Sequence, residues 1–203
     1  MKTNMMKFQK VSFLFLSLAF GTFFLAACGD DDEPEEENVE EIITNATLTF
    51  TPTEGGTAIT ATATDPDGDG AGELTVDGPI NLAANTAYTM TIDLLNGLEN
   101  ESISEEVEEE ADEHMFFFAW QDGAFSNPVG NGNVDNRGDI VNYLDNDDNQ
   151  LPLGLMTSWI TGDAVSGGTF RVILKHQPDI KTATSTANDG ESDMDITWTL
   201  NVQ

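Results

Sequence analysis

The stretch "AYTMTIDLL", residues 87–95, decides the fold, because its apolar and polar residues alternate. Tyr88, Met90, Ile92 and Leu94 would share one face of an extended chain, with threonine and aspartate on the other. The same period of two runs through "ATLTFTP", "TAITATATD", "TFRVILKHQ" and "DITWTLNVQ". Half-buried strands of this kind, separated by clusters of Gly, Asn and Asp, are typical of an antiparallel sheet.

Three more candidate strands, "MFFFAW", "DIVNYLD" and "LMTSWITG", bring the total to about eight. This number and spacing predict an all-β antiparallel sandwich or barrel, formed by one domain over residues 44–203. One segment breaks the pattern: "SISEEVEEEADEH" has capping-box spacing at Ser102, and Ile103, Val107 and Ala111 recur every four residues. We therefore expect one short acidic helix inserted between strands.

A tyrosine narrows the choice of architecture. "LAANTAYTMTI", residues 82–92, resembles the tyrosine-corner segment of immunoglobulin-like and fibronectin type III domains, with Leu82 six residues before Tyr88. The resemblance implies an immunoglobulin-like β-sandwich. It also implies that the buried Tyr88 ring bonds, through its hydroxyl, the backbone a few residues upstream.

The amino-terminal segment predicts export and lipid attachment. Three lysines and no acid precede the apolar run "VSFLFLSLAFGTFFLAA", which is shorter than a spanning helix and is typical of a signal peptide. Leu25-Ala26-Ala27-Cys28 resembles the lipobox of bacterial lipoproteins. That resemblance implies removal of residues 1–27 and a lipid on Cys28, the chain's single cysteine, so that the membrane is a partner through this lipid.

An acidic block follows the cysteine. "GDDDEPEEENVEE" carries nine acids in thirteen residues, and self-repulsion predicts an extended, disordered tether over residues 28–43. Its composition resembles the export signal of Bacteroidota-type surface lipoproteins, which implies a place on the outer membrane or cell surface; a plain spacer is the alternative. Without residues 1–27, four Lys and Arg residues face 37 acids, a charge of −33. This charge argues against nucleic acid and anionic headgroups as partners and favours cations.

Two groups of residues are candidate metal sites. "DPDGDG" places Asp65, Asp67 and Asp69 at alternate positions before a glycine, as at the start of a calcium loop, although a plain Asp/Gly turn needs no metal. "DNDDN", from residue 145, is a weaker case of the same kind.

The chain's two histidines form the other group. His114 ends the acidic insertion and His176 lies near the end of a strand. If these ends are neighbours, both histidines and one of Glu110 or Glu113 would suit zinc; the alternative is two unrelated histidines, each hydrogen-bonded at a sheet end.

Sequence motifs favour binding over catalysis. The chain has no G-x-S-x-G, H-E-x-x-H or phosphate loop, and lipidation leaves no thiol, so we expect no enzyme. Its three tryptophans lie in strand-like runs, which favours core packing over stacking on a sugar.

"EEEADEHMFFF" and "VILKHQPD" resemble segments of small Bacteroidota-type surface lipoproteins with no established activity. Some of these are labelled as periplasmic binding proteins. That fold alternates strands with long helices, which the strand pattern of this sequence does not match. We expect a lipid-anchored surface module that captures a ligand, such as Zn²⁺ or Ca²⁺, for an outer-membrane importer. The alternatives are an adhesive surface protein without a small ligand and a hydrolase of extracellular polymers.

Overall fold

The computed structural model describes residues 41–68 and 74–203, and within them it contains eleven strands and one helix. The strands are β1 Asn45–Pro52, β2 Ile59–Thr64, β3 Thr75–Val76, β4 Ile80–Leu82, β5 Ala87–Asn96, β6 Glu101–Ser102, β7 His114–Trp120, β8 Phe125–Asn127, β9 Met156–Thr161, β10 Val165–His176 and β11 Glu191–Val202. The helix α1 spans Ile103–Glu109. No helix within the described ranges is long and apolar enough to span a membrane.

The strands form two sheets, which confirms the all-β prediction. One sheet has seven strands in the order β3-β2-β1-β5-β9-β8, with β6 also paired to β5, and it curls into a half-barrel. The other has four strands in the order β4-β11-β10-β7. All strand pairs are antiparallel except β4 with β11, which is parallel.

Apolar side chains of both sheets form the main core. In β5 the alternation holds as predicted, and its four apolar residues from Tyr88 to Leu94 are all buried. Trp159 on β9 lies at the centre of an aromatic group, with its ring centroid 4.7–5.7 Å from four other rings. Trp120, Trp159 and Trp198 are all buried, so the core-packing interpretation of the tryptophans is confirmed.

Strand β7 does not alternate because both of its faces are covered. Its even-numbered aromatic residues after His114 join the main core, whereas Met115 and Phe117 form a second small cluster with Ile173 of β10. Partly buried side chains, including Tyr143, cover this second cluster. The apolar run "MFFFAW" is therefore a strand buried on both faces.

The helix begins as the sequence predicts. The Ser102 hydroxyl accepts the Glu105 amide at 3.4 Å, and Ile103 and Val107 are buried. The helix ends at Glu109, and Ala111 lies beyond it against the core. The insertion is thus the one helix in the described part of the chain.

One predicted strand is wrong. "DIVNYLD", residues 139–145, forms no ladder and makes a single bridge, from Tyr143 to Thr157 of β9. The segment shares two backbone hydrogen bonds with β9, one on each side of this bridge. Side chains hold it as well, because the Tyr143 hydroxyl donates to a backbone oxygen of β7 at 2.6 Å and Asp145 accepts two backbone amides. Four strands that were not predicted are only two or three residues long, too short for alternation to reveal them.

The predicted contact of Tyr88 is present. Its hydroxyl accepts the backbone amide of Ala83, five residues upstream, at 3.0 Å. Leu82 and Tyr88 are both 1% exposed. The tyrosine thereby fixes the turn between β4 and β5.

Candidate metal site

The two histidines lie opposite one another at one end of the four-stranded sheet. His114 is the first residue of β7 and His176 the last of β10, and the antiparallel register pairs them directly. Residues opposite each other in such a pair point to the same face. Their rings are accordingly stacked, with centroids 4.5 Å apart and planes 5° from parallel.

Each imidazole has one nitrogen held by an acceptor. His114 Nδ1 lies 3.2 Å from the Glu110 carbonyl oxygen, which can only accept, so Nδ1 carries the proton. His176 Nε2 lies 3.2 Å from a carboxylate oxygen of Glu113 and donates to it. The other nitrogens, His114 Nε2 and His176 Nδ1, are buried and make no hydrogen bond within the described residues. Metal-binding histidines show this arrangement, with one nitrogen oriented by an acceptor and the other free to coordinate.

Of the two predicted carboxylates, Glu110 is the one grouped with both histidines. Glu110, His114 and His176 each offer a ligand atom, and these atoms all lie within 4.8 Å of one another. Ligands around a tetrahedral zinc ion with bonds of about 2.0–2.1 Å are about 3.4 Å apart. Glu110 Oε2 lies 4.0 Å from His114 Nδ1, the nitrogen that carries the proton. Binding at Nε2 would therefore require the rings to tilt out of their parallel stack and the Glu110 carboxylate to move to the Nε2 side. The Glu110 side chain is 54% exposed and can make that movement.

Burial keeps His114 neutral at pH 7. Its side chain is fully buried, and burial together with the neighbouring His176 lowers the pKa of His114 from 6.5 to about 4. A neutral imidazole is the form that binds a metal ion. His114 is therefore already in the protonation state that coordinates a metal ion.

Further acids lie near Glu110. Burial, a hydrogen bond with Glu106, and the charges of Glu106, Asp193 and Glu110 raise the pKa of Glu41 from 4.5 to about 8. The pKa of Glu106 is raised as well, mainly by burial. Glu41 therefore retains a proton at neutral pH, because burial and the neighbouring negative charges both disfavour its ionised form.

Sequence reasoning missed two of these acids, Glu41 and Asp193. Glu41 falls in the segment predicted to be tether. Asp193 alternates in the sequence with Asp195, which is exposed, so the pattern predicts that both face solvent. Nothing in the local sequence indicates the register shift between β10 and β11, at Leu174 and Lys175, beside which the consecutive residues Asp193 and Met194 are both buried.

The other candidate acids have structural partners where the structure describes them. Asp65 Oδ1 accepts the Asp67 amide at 3.4 Å, as in a turn, and Asp69 lies outside the described residues. In "DNDDN", Asp147 accepts two amides of its own loop and lies 2.9 Å from the Lys181 amine. A cavity of about 590 Å³ beside this loop is lined by acids but by neither histidine.

Lipidation of Cys28, removal of residues 1–27 and most of the tether fall outside the described residues. Comparison with protein-family models, with curated proteins and with solved structures finds no match for this chain.

Proposed function

We propose that this protein is a lipid-anchored surface binding module that captures a divalent transition-metal cation, such as zinc, through His114, His176 and Glu110. One observation carries the proposal. Two stacked, buried imidazoles each have one nitrogen held by an acceptor and the other without a hydrogen bond, next to a carboxylate. Imidazole nitrogen with carboxylate oxygen is a donor set that suits zinc.

The surroundings support entry and capture of a cation. Glu110 is half exposed, so an ion can meet this carboxylate first and then pass to the buried rings. The acidic surface would raise the local concentration of cations. A lipid on Cys28 and the acidic tether would hold the site at the outer membrane, where an importer would take up the captured ion.

The proposal includes an immunoglobulin-like arrangement of the two sheets. The Tyr88 hydroxyl bonding to Ala83 supports an immunoglobulin-like sandwich, since this contact joins a buried ring to the backbone just upstream. Such a scaffold would present the histidine pair at the end of one sheet.

The test is calorimetric titration of the metal-free, full-length chain in detergent with zinc. We expect one ion to bind, and His114→Gln/His176→Gln to abolish the heat. Glu110→Gln should weaken binding at least about tenfold, while Glu109→Gln, the matched change one residue earlier, should stay within about twofold. A parallel calcium titration with Asp67→Ala/Asp69→Ala tests the aspartate turn.

Absence of zinc heat, together with an unchanged melting temperature, would overturn cation capture and leave the adhesive role or a polymer ligand. The location is tested separately, because Cys28→Ser should release the protein from membranes or leave the precursor unprocessed. Normal membrane retention of this variant would contradict lipid anchoring.

A further inference from the structure

A cavity that neither histidine lines lies between α1 and the loop at residues 145–149. Its volume is about 590 Å³, within the range of roughly 300–1,000 Å³ that small organic ligands occupy. Strand β5 joins the two sides, because its Leu94 amide donates to the Ser104 hydroxyl of α1 and its Ile92 amide donates to the Leu155 carbonyl. Hydrogen bonds therefore hold both sides of the cavity in place.

Apolar side chains form one part of the lining and continue onto the surface. Leu153 is buried and Met156 is exposed, and both line the cavity. Leu144 lies opposite Met156, because its amide donates to the Met156 carbonyl beside the bridge from Tyr143 to Thr157. Opposite residues point to the same face, so the exposed Leu144 side chain extends the apolar surface beyond the cavity. A hydrocarbon chain would be stabilised on this surface, whereas a hydrated inorganic ion would make no use of it.

Carboxylates that pair with no cation line the same cavity. Glu108, Glu109 and Asp112 belong to α1 and the turn after it, and Asp148 belongs to the loop. All four are exposed, and none of them forms an ion pair within the part of the chain that the structure describes. A ligand with positive charges at separate points would therefore meet a carboxylate on each side.

The two sides of the cavity already bind one ammonium group. Lys181, which follows β10 in the sequence, has its Nζ 2.9 Å from Asp147 Oδ2 and donates to the Ala111 carbonyl. Asp147 belongs to the loop and Ala111 to the turn after α1, and both line the cavity. The Lys181 side chain is 1% exposed, so this buried contact is independent of the four exposed carboxylates. It identifies an alkylammonium group as chemistry that fits between the two sides.

We propose that the cavity is a binding site for a small aliphatic polyamine, a hydrocarbon chain with at least two ammonium groups. The hydrocarbon chain packs on Leu153 and Met156, and its ammonium groups pair with Glu108 on one side and Asp148 on the other. The volume favours a small molecule over a segment of another protein, and the apolar lining favours it over a metal ion. The site shares no residue with the proposed metal site and does not depend on zinc binding.

The test is calorimetric titration of the metal-free, full-length chain in non-ionic detergent with spermidine, a triamine. Salt at about 0.15 M screens general attraction to the acidic surface beyond about 8 Å, and we expect one spermidine to bind per chain. Glu108→Gln/Asp148→Asn should weaken binding at least about tenfold, because two ion pairs are lost. The matched control, Glu105→Gln/Asp122→Asn, removes one acid of α1 and one of a loop that do not line the cavity, and should stay within about twofold. Circular dichroism of each variant checks the fold.

Two further measurements test the apolar lining. Met156→Gln keeps the charge and nearly the length of the side chain, and it should weaken spermidine binding about threefold or more. Calcium at equal concentration should not displace bound spermidine. Displacement by calcium, or an unchanged affinity in Met156→Gln, would show a plain cation site and overturn the proposal.

Equal losses in the two double variants would show attraction to the acidic surface as a whole, and this result would overturn the proposal too. Absence of spermidine heat, together with an unchanged melting temperature, would also overturn it. The zinc titration of the wild-type chain decides the metal site separately, so failure of one site is distinguishable from failure of the other.

Discussion

The buried histidine should make the metal-free protein sensitive to acid in a defined pH range. The pKa of His114 falls from 6.5 in the unfolded chain to about 4 in the folded chain, because of burial and the neighbouring His176. Between these values the unfolded chain binds a proton at His114 that the folded chain does not bind. Stability from this group is therefore fully present above pH 6.5 and is lost as the pH falls through 4.

The size of the effect follows from the difference in pKa. A fall from 6.5 to about 4 corresponds to about 3 kcal/mol, since each unit is worth about 1.4 kcal/mol. Glu41 acts in the opposite direction, because its pKa is raised from 4.5 to about 8. The folded chain keeps a proton at Glu41 that the unfolded chain releases, so this contribution is lost as the pH rises through 8. The quantity to measure is therefore the difference between wild type and a His114 variant.

The assay is urea unfolding of wild type and His114→Gln, with a chelator present, followed by tryptophan fluorescence at intervals from pH 4 to pH 7. The free energy of unfolding of wild type minus that of the variant should be about 3 kcal/mol larger at pH 7 than at pH 4. For Glu41→Gln the same difference should instead fall as the pH rises. Parallel curves for wild type and His114→Gln, within about 0.5 kcal/mol, would refute the reasoning.

Three further predictions concern the scaffold. Tyr143→Phe should lower the free energy of unfolding by about 2 kcal/mol, roughly twice the loss from Tyr88→Phe, because the Tyr143 hydroxyl bonds two partners and that of Tyr88 bonds one amide; urea unfolding of both variants checks the order. Lys181→Met should cost about 3–5 kcal/mol by leaving a buried carboxylate, now 2.9 Å from the amine, without its cation. An unchanged urea midpoint would contradict this. Gly132→Ala should reduce the melting temperature far more than Gly130→Ala, since both residues have positive φ but of the two only Gly132 would place a Cβ against backbone, at the Phe118 carbonyl oxygen. Equal shifts in the two variants would show that backbone conformation alone decides the outcome.

Those parts of the fold that depend on local pattern could be predicted from the sequence. Alternation in residues 87–95 corresponds to β5, and the Ser102 cap begins α1 as expected. Both signals arise within a few residues, from the period of a strand and from the unpaired amides of a helix start. "DIVNYLD" failed because a short alternating run does not specify a pairing partner. Beside its two backbone hydrogen bonds to β9, the segment is held by the hydroxyl of Tyr143 and the carboxylate of Asp145.

The candidate site could be predicted only in part, and for a different reason. Which strand ends meet is a property of the whole sheet. The sequence therefore predicted a site at His114 and His176 only on the condition that their strand ends are neighbours. Antiparallel pairing of β7 with β10 meets that condition. Asp193 and Met194 are both buried beside a single register shift between β10 and β11, and no residue type in that stretch signals it.

The abundance of acids and the scarcity of histidines have different consequences for cation binding. The chain has 37 acids and two histidines. Exposed carboxylates attract any cation, but salt screens such attraction beyond about 8–10 Å, so they raise local concentration without choosing an ion. Selection of a transition metal requires nitrogen donors. Both histidines of the chain occupy one register position, buried and already oriented through one nitrogen each. Selectivity would thus come from two residues at the end of a sheet, and the acidic surface would supply them with ions.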